Sequence, residues 1–395
     1  MATRGIVAVL AITAFIGQTS MMSLNAMLPA AAADLDTTVS IIAQVQTATF
    51  VLAALAGLFL GPLADHYGLR RTALVGGILL AGSGFATALA VDFWTLMLGR
   101  IPAGLVILSS LSVAIASTRL AEGERRKGIG WVVSALPFSA IIGMPMFAMI
   151  AHYSNWRLSY VVLGFLGLLV TGLLWRVVPA DPPVPATAIS LRAILNAYAP
   201  LLGHARSILL YLADFLRGVT WFGLLIYVAA FFVEELGLSL QAYGAFMVAG
   251  GVAYLIAARL GSTIERIGLG TWFNASTVMM AAAGVIAFTN SLGTPATFGL
   301  LIMFGFMGGA GFSAITIMIS ESSQSGQGTT MMLRQSGLSA SQAAAAATGG
   351  ALIAAGGYSA LGFGLGGFAL LSAVTIVIAG RVYLQPDPRP AAGND

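Results

Sequence analysis

The sequence predicts an all-α integral membrane protein whose twelve transmembrane helices form two pseudo-symmetric six-helix bundles. Composition, the spacing of apolar runs and an internal repeat all predict this fold. Of the 395 residues, 58% are hydrophobic and only 8% are charged, whereas about 25% of the residues of a soluble protein are charged. A spanning helix needs about 20 mostly apolar residues, so a chain of this length holds twelve with short connections.

The apolar runs divide into two sets of six. The first set lies near 5–30, 40–62, 72–91, 94–118, 128–151 and 157–178, and the second near 207–233, 240–262, 270–290, 295–319, 329–355 and 359–383. The connection between the sets begins with a proline-rich stretch, which cannot continue a helix. We therefore expect an N-terminal bundle over 1–178, a cytoplasmic linker over 179–206, a C-terminal bundle over 207–383 and a cytoplasmic tail over 384–395.

Two charged turns at the same offset indicate that the halves arose by duplication. The turn 61–71 reads Gly-Pro-Leu-Ala-Asp-His-Tyr-Gly-Leu-Arg-Arg, and the turn 261–268 reads Gly-Ser-Thr-Ile-Glu-Arg-Ile-Gly. In each turn an acidic residue lies four positions after one glycine and three before the next. The same offset aligns Asp34 with Glu234, just beyond the first span of each half. Parallel repeats of this kind can enclose a site between two bundles.

Basic residues predict the orientation of the chain. They concentrate in the connections after the second and fourth spans, and Arg157 is the one clear exception on the opposite side. The positive-inside rule then places both termini in the cytoplasm of a multi-pass protein of the cell (inner) membrane. The same asymmetry explains the net charge of +4. Because nucleic-acid binding needs a soluble basic face with aromatic residues, we expect no nucleic-acid partner.

Two motifs resemble those of a known family. Gly61, Leu63, Asp65, Gly68, Arg70 and Arg71 match the pattern Gly-x-Leu-x-Asp-Arg-x-Gly-Arg-Arg/Lys, and Arg100 with Gly104 matches Arg-x-x-x-Gly. On these residues the whole chain resembles the major facilitator superfamily, in the twelve-span branch of drug:proton antiporters and sugar-efflux permeases. The span-five signature of drug antiporters survives only as a fragment over 139–148, which argues against drug antiport in the narrow sense.

The resemblance implies a secondary active transporter that works by alternating access. It implies proton-coupled efflux of small amphipathic or sugar-like solutes by a monomer in a lipid bilayer, with protons and a small-molecule substrate as partners. It also implies a gate that closes the cytoplasmic side. The residues of this gate motif are Gly61, Asp65, Gly68, Arg70 and Arg71.

Ionisable residues inside the spans are the candidates for proton coupling. Asp214 and Arg217 lie three residues apart in the seventh span, so they share a helical face on which they can pair. Such intramembrane charges are expensive and usually functional. Asp214 is therefore either a proton carrier or half of a static ion pair. Arg100, in the fourth span, is linked to proton coupling by the resemblance and is also able to receive an anionic group.

Polar and bulky residues on the same faces are candidates for lining the cavity. Gln18, Met22 and Asn25 share a face of the first span, while Tyr211 and Trp221 extend the face of Asp214 in the seventh. Both faces are predicted to line one central cavity. A simple interhelical hydrogen bond is the alternative role for the polar members of this set.

Composition also limits the chemistry that the chain performs. It contains no cysteine and no phosphate-binding loop, and its three histidines fall at span ends or in loops. We therefore expect no catalytic residues, no metal, no cofactor and no enzyme activity. Two alternatives remain at this point: uptake or facilitated exchange of an organic anion through Arg100 and Arg217, and a non-transporting membrane sensor or scaffold.

Overall fold

The computed structural model describes residues 2–122, 124–125, 128–129, 131–132, 138–181, 198–258, 268–290, 292–321 and 327–383. The surroundings of the side chains at 2–3, 61–62, 65, 327–329 and 382–383 are not described. The described residues form helices joined by short turns, and no strand occurs among them. Two connections of the sequence, 182–197 and 259–267, and the predicted tail over 384–395 lie outside the described residues. Most of the predicted linker and the second charged turn fall there.

Six spans, numbered 1 to 6 in chain order, form the N-terminal half. Span 1 comprises the helices Ala2–Met22 and Leu28–Asp34, joined by a 3-10 turn at Ser23–Met27; span 2 is Val39–Tyr67 and span 3 is Leu69–Ala88. Span 4 comprises the helices Phe93–Arg100 and Leu108–Arg119, with a 3-10 turn at Ile101–Leu105 between them. Span 5 is described over a π-helical turn at Ser139–Gly143 and the helix Met144–Tyr153, and span 6 is Trp156–Val177. Spans 1 and 4 are therefore interrupted, whereas spans 2, 3 and 6 are continuous.

Spans 7 to 12 form the C-terminal half. Span 7 is Ala205–Ala230 with a π-helical turn at Phe231–Glu235, and spans 8, 9 and 10 are Leu240–Ala258, Leu269–Phe288 and Thr294–Glu321. Spans 11 and 12 are the two arms of Gln327–Tyr383, which divides where Gly356 and Gly357 leave the helical conformation.

The predicted twelve-span fold is confirmed. Ten segments of the described chain are long and apolar enough to cross a bilayer, and one of them, Thr330–Arg381, contains both span 11 and span 12. Span 5 is a shorter apolar helix over its described residues. The chain is a multi-pass membrane protein. Large apolar side chains such as Trp94, Phe165 and Trp175 stay exposed on the outside of the bundle, where lipid replaces water as the neighbour.

The duplication is visible in the backbone. Span 3 begins at Leu69 and span 9 at Leu269, each directly after a glycine with positive φ, Gly68 at +102° and Gly268 at +93°. Only glycine adopts that conformation without strain. The two glycines that sequence comparison aligned at an offset of 200 therefore make the same turn in both halves.

The acidic residues after spans 1 and 7 also occupy equivalent positions. Asp34 accepts hydrogen bonds from the indole N–H of Trp156 and from the Arg157 guanidinium at the start of span 6. Glu234 accepts a hydrogen bond of 2.7 Å from the Tyr358 hydroxyl at the start of span 12. Each acid thus ties the end of the first span of its half to the start of the last.

Three pairs of spans hold the halves together. Span 2 packs along span 11, span 5 packs on span 8, and the 3-10 turn of span 1 packs on span 7. At one end of the seam a Cβ on Gly350 of span 11 would lie 3.1 Å from the Gln44 side-chain nitrogen of span 2, and further along a Cβ on Gly57 of span 2 would lie 2.6 Å from the Ser336 hydroxyl of span 11. Spans 2 and 11 therefore approach each other closely at two separate places along the seam.

Candidate functional site

A cavity of about 70 Å³ lies between the halves at the junction of spans 1, 2, 4 and 11. Its lining residues are Gln18, Met21, Ala53, Gly57, Gly104, Val106, Ile107, Ser109, Ser110, Met332, Gln335, Ser336, Ser339 and Gln342. None of these described lining residues is ionisable, and half of them carry a hydroxyl or amide. Since one water needs about 10–15 Å³, the cavity accommodates several waters or a small polar group, but not a whole sugar.

The break in span 4 forms one wall of this cavity. Pro102 has no N–H with which to bond back along the helix, and its ring excludes the normal helical path. Gly104 then allows the broken segment to approach span 2, because a Cβ there would lie 2.5 Å from the Thr49 carbonyl oxygen. At Val106 the backbone is no longer helical, with ψ at 89°. A new helix begins at Leu108 beside the cavity.

A polar stripe on span 11 forms the opposite wall. Gln335, Ser339 and Gln342 recur at helical spacing, and Ser336 lies beside them. Ser336 is 5% exposed, and its hydroxyl has no hydrogen-bond partner in the described part of the protein. That hydroxyl lies 2.6 Å from where a Cβ on Gly57 of span 2 would be. A buried hydroxyl without a partner costs about 1–3 kcal/mol, so this wall needs a water or a solute to complete it.

A buried ion pair joins span 7 to span 11. Arg334 donates from Nε to one oxygen of Asp214 at 2.7 Å and from Nη2 to the other at 3.4 Å. The two side chains are 6% and 7% exposed. The Arg334 guanidinium also stands over the Phe312 ring of span 10, 4.5 Å from its centroid. Arg334 directly precedes Gln335 and Ser336, so the counter-ion and the cavity wall share one helical turn.

The expected pairing of Asp214 with Arg217 is corrected by this geometry. Arg217 donates to the Thr277 hydroxyl at 3.2 Å and to the Met307 and Gly308 carbonyls at 2.9 and 2.8 Å. These groups belong to spans 9 and 10. The spacing of three residues permits a pair on one helix, but span 11 offers the Arg334 guanidinium to Asp214, and spans 9 and 10 offer a hydroxyl and two carbonyl acceptors to Arg217. Arg217 therefore holds spans 7, 9 and 10 together.

Arg100 is enclosed within the N-terminal half. Its side chain is 0% exposed, and it donates from Nη2 to the Ser20 carbonyl of span 1 at 3.0 Å. It stands over the Tyr160 ring of span 6, 5.5 Å from the centroid. Nε and Nη1 have no hydrogen-bond partner among the described residues. Arg100 does not line the cavity, although Gly104, one turn further along, does.

Of the residues predicted to line the cavity, the structure places Gln18 in its wall. Met21 lines the cavity beside Gln18, while Met22 is buried in the core at 6% exposure. Asn25 accepts a hydrogen bond of 2.6 Å from Gln46 of span 2, which is the alternative role foreseen for it. The 3-10 turn that starts at Ser23 ends the α-helical face on which the prediction for Asn25 rested.

Tyr211 and Trp221 also lie away from the cavity. The Tyr211 hydroxyl donates to the Thr330 carbonyl of span 11 at 3.3 Å. The Trp221 ring stacks on Phe304 of span 10, with centroids 5.7 Å apart, and packs against Tyr254 of span 8 at 5.3 Å. Both residues join span 7 to its neighbours, because the face of Asp214 points into the C-terminal half.

Parts of the gate motif are visible in the structure. Gly61 and Asp65 lie in the last turns of span 2, and their side-chain environment falls outside the described residues. The Arg70 and Arg71 backbone N–H groups each donate at 3.1 Å to a carboxylate oxygen of Asp181. The Arg70 guanidinium donates to the Trp175 carbonyl at 2.5 Å and lies over the Trp175 ring. The basic pair thus contacts the end of span 6, within the N-terminal half.

Asp181 was not identified from the sequence. It caps the start of span 3 and forms an ion pair of 2.9 Å with Arg119 at the end of span 4. Its carboxylate also fills the space beside Gly68, where any Cβ would overlap it. The available signal was an acid directly after span 6 facing a cluster of basic residues. The cavity residues of span 11 were also missed, although their regular polar spacing on an apolar helix was visible.

Comparisons with known proteins agree with this architecture. A sequence profile described as Major Facilitator Superfamily matches residues 10–268. The chain is 26% identical to the 3-(3-hydroxy-phenyl)propionate transporter of Escherichia coli (strain K12) over 81% of this chain and 78% of that protein. It is 27% identical to the hexuronate transporter of Bacillus subtilis (strain 168) over 65% of this chain and 66% of that protein.

A solved structure has the same fold. The bacterial homologue of the human lysosomal transporter Spinster, in an inward-facing and unoccupied conformation, superimposes with a TM-score of 0.74 over 97% of this chain and 96% of that one, at 15% identity. The profile match covers more than half of the chain and includes both sequence motifs. The chain belongs to the Major Facilitator Superfamily and is a membrane transporter of small molecules, not an enzyme.

Proposed function

We propose that the chain is a proton-coupled transporter that moves a small amphipathic or sugar-like solute by alternating access, with Asp214 as its proton carrier. One observation carries the proposal. Arg334, which neutralises Asp214 at 2.7 Å, lies on the same turn of span 11 as Ser336 in the cavity wall. Protonation of one buried group therefore acts directly on the helix that faces the solute.

The ion pair provides a two-state element for coupling. When Asp214 is ionised, Arg334 holds span 11 against span 7. When Asp214 takes up a proton, the Arg334 guanidinium loses its counter-charge inside the protein, and the pair no longer favours that arrangement. A solute that binds one arrangement of span 11 more tightly then shifts the proton equilibrium, and protonation shifts solute affinity in return.

Arg217 and Arg100 have supporting roles in this proposal. Arg217 fixes span 7 to spans 9 and 10 through its three hydrogen bonds, so that Asp214 stays in place while span 11 moves. Arg100 ties span 4 to span 1 through the Ser20 carbonyl. Its unpartnered donors are available to a group that enters when the halves separate.

The remaining features of the proposal rest on the sequence. The resemblance to the antiporter branch supports export of solute in exchange for protons by a monomer. The distribution of basic residues supports a cell (inner) membrane location with both termini in the cytoplasm. On that orientation the gate motif, with Arg70 and Arg71 anchored on Asp181, lies on the cytoplasmic side.

The proposal is tested with purified protein in proteoliposomes. Hexoses, hexuronates and small aromatic acids are first screened for thermal stabilisation, and the best binder is used as the transported solute. We expect Asp214→Asn to retain solute counterflow, which needs no net proton movement, and to lose accumulation driven by a pH gradient. Glu321→Gln, at an exposed acid at the end of span 10, is the matched control. Undiminished pH-driven accumulation by Asp214→Asn contradicts the assignment.

A second candidate is exchange of an organic anion without proton coupling. It is favoured by the names of two relatives, whose solutes, a hydroxyphenylpropionate and a hexuronate, are carboxylates. In this candidate Arg100 and Arg217 supply the binding charges. Transport that ignores a pH gradient and is lost in Arg217→Ala supports it over the proton-coupled mechanism.

A further inference from the structure

The break in span 4 directs the start of a helix toward the central cavity. Leu108–Arg119 has 12 residues, and Ser109 and Ser110 in its first turn line the cavity. Its first regular backbone bond runs from the Leu111 N–H to the Ile107 carbonyl at 3.0 Å, so the N–H groups before Leu111 lack acceptors within the helix. No side chain in the described part of the protein caps this end.

An independent observation on the facing helix indicates that a ligand belongs here. The Ser336 hydroxyl lines the same cavity, lies on a residue that is 5% exposed, and has no partner among the described residues. A hydroxyl can donate one hydrogen bond. Backbone and hydroxyl donors from both halves thus face one small space that contains no ionised acceptor.

We propose that this space binds the carboxylate of a hydroxylated organic acid, which is the transported substrate. The substrate oxygens accept hydrogen bonds from the N-terminal N–H groups of Leu108–Arg119 and from the Ser109 and Ser336 hydroxyls. This assignment rests on the proposed transport function and specifies its substrate class. It also replaces the expectation that intramembrane arginines bind the anion, since neither Arg100 nor Arg217 lines the cavity.

The physical chemistry of the cavity selects this class. The positive end of a helix dipole favours an anion and disfavours a cation. Because the dipole offers only about half an elementary charge, and no described lining residue is ionised, a single carboxylate is favoured over a doubly charged phosphate. The amides of Gln18, Gln335 and Gln342 both donate and accept hydrogen bonds, which suits hydroxyl groups on the rest of the molecule.

The size of the cavity fits one part of such a substrate. At about 70 Å³ it accommodates a carboxylate with its nearest atoms. The rest of the molecule requires spans 2 and 11 to separate along the seam at Gly57 and Ser336. The carboxylate therefore contacts span 4 of one half and span 11 of the other at once, which links substrate binding to the relative position of the halves.

The test compares the binding of each acid with the binding of its neutral twin, an uncharged analogue in which an alcohol group replaces the carboxylate, on the purified full-length protein. The probes are D-glucuronate with D-glucose, and 3-(3-hydroxyphenyl)propionate with 3-(3-hydroxyphenyl)propan-1-ol, measured by thermal stabilisation and by competition. We expect at least one acid to bind about tenfold more tightly than its twin, as loss of a hydrogen bond to a charged group predicts. Ser336→Ala is expected to weaken that acid by about tenfold and to leave its neutral twin unchanged.

Ser109→Asp sharpens the test because it places a protein carboxylate at the same helix end. We expect this variant to fold, since an acid is favourable in the first turn of a helix, and to lose acid binding completely. Ser341→Ala and Ser117→Ala are the controls, because each hydroxyl bonds a carbonyl of its own helix, Leu338 and Ala114, away from the cavity. Both controls are expected to bind the acid like the unmodified protein.

Two results overturn the proposal: neither acid binds more tightly than its neutral twin, or Ser109→Asp and Ser336→Ala bind the acid as the unmodified protein does. Its failure is separable from failure of the proposed function. Accumulation of glucose that depends on Asp214, together with indifference to glucuronate, retains proton-coupled transport and removes only the carboxylate. Tight binding of glucuronate without pH-driven accumulation retains the carboxylate site and removes proton-coupled transport.

Discussion

The fourth helix of each half has the same place in the fold but a different backbone. Span 4 breaks between Arg100 and Leu108, whereas its counterpart, span 10, runs without interruption over Thr294–Glu321. Each chain segment contains a proline. Pro102 falls inside span 4, where it removes a helical hydrogen bond, while Pro295 falls in the first turn of span 10, where proline is tolerated. Equivalent positions of the two halves therefore hold one interrupted helix and one regular helix.

The buried arginines of the two halves also differ, in how many of their nitrogens have hydrogen-bond partners. Arg217 makes three hydrogen bonds to spans 9 and 10, and Arg334 is neutralised by Asp214. Arg100 makes one hydrogen bond and leaves two nitrogens unpartnered within the described structure. The C-terminal half thus satisfies its charges and provides support, and the N-terminal half keeps free donors and an irregular backbone. We infer that the two halves contribute a charge switch and a binding wall, respectively.

The largest expected effect comes from breaking the buried ion pair in the C-terminal half. Asp214→Ala leaves the Arg334 guanidinium buried without a counter-charge, and such a change costs about 3–5 kcal/mol of the free energy of unfolding. Denaturant titration of the purified protein measures this loss. A double variant, Asp214→Asn with Arg334→Gln, is expected to recover much of it, because no uncompensated charge remains.

The exposed ion pair of the N-terminal half provides the control for that prediction. Arg157 and Asp34 form a pair whose side chains are 32% and 41% exposed. Pairs of this kind contribute about 1 kcal/mol or less, so Arg157→Ala is expected to change the free energy of unfolding only slightly. Equal losses in Asp214→Ala and Arg157→Ala contradict the contrast between a buried switch and a surface contact.

The second prediction compares the two buried arginines directly. Arg217→Met removes three hydrogen bonds from a charged donor, and each such bond contributes about 1.5–3 kcal/mol. Removing the buried charge offsets part of that loss, so we expect a net cost of about 3 kcal/mol. Arg100→Met removes one hydrogen bond and two unsatisfied donors and is expected to cost about 1 kcal/mol. Unfolding titrations that rank the two variants in the opposite order contradict our account of their roles.

The sequence predicts those features of the two halves that depend on residues close together along the chain. The twelve spans, the two halves and the matching glycines at 68 and 268 followed from local patterns and one offset. The motif turn was located correctly because its residues are contiguous. These features need only composition, periodicity and the restricted conformations of glycine and proline.

Side-chain partners between spans were beyond such local patterns. Asp214 and Arg334 are 120 residues apart, so the spacing rule pointed instead to Arg217, three residues away. The position of Asn25 was predicted wrongly because no local pattern indicates the 3-10 turn that begins at Ser23. The packing of all twelve spans decides which helix faces the cavity. The periodicity of apolar residues within a single span does not predict this packing.

The third prediction concerns the space that seats Arg217. Gly311 lies on span 10 directly beneath the guanidinium, and an added Cβ would overlap it. Gly311→Ala is therefore expected to cost about 2 kcal/mol, within the range for overpacking a core. Gly299→Ala is the matched control on the same span, because nothing lies within 4 Å of its added Cβ. If the melting temperature falls equally in both variants, Gly311 does not provide a specific space for the Arg217 guanidinium.

The smallest expected effect on stability comes from the residue that makes span 4 different from span 10. Pro102→Ala restores a backbone N–H and removes the ring, so the helix gains a regular path through 101–107. Since the native structure already accommodates the proline, we expect the free energy of unfolding to change by less than about 1 kcal/mol. We expect slower amide hydrogen exchange over 101–110 and weaker solute counterflow, because the start of Leu108–Arg119 no longer faces the cavity.

Pro295→Ala provides the reciprocal control in the C-terminal half. In the first turn of span 10 the proline interrupts no helical hydrogen bond, so amide exchange and counterflow are both expected to stay unchanged. If Pro102→Ala leaves the exchange of 101–110 as it was, the break is maintained by the close approach of Gly104 to the Thr49 carbonyl. The difference between spans 4 and 10 would then originate in the packing of span 4 on span 2. In that case Gly104→Ala is expected to shift the break, although Pro102→Ala did not.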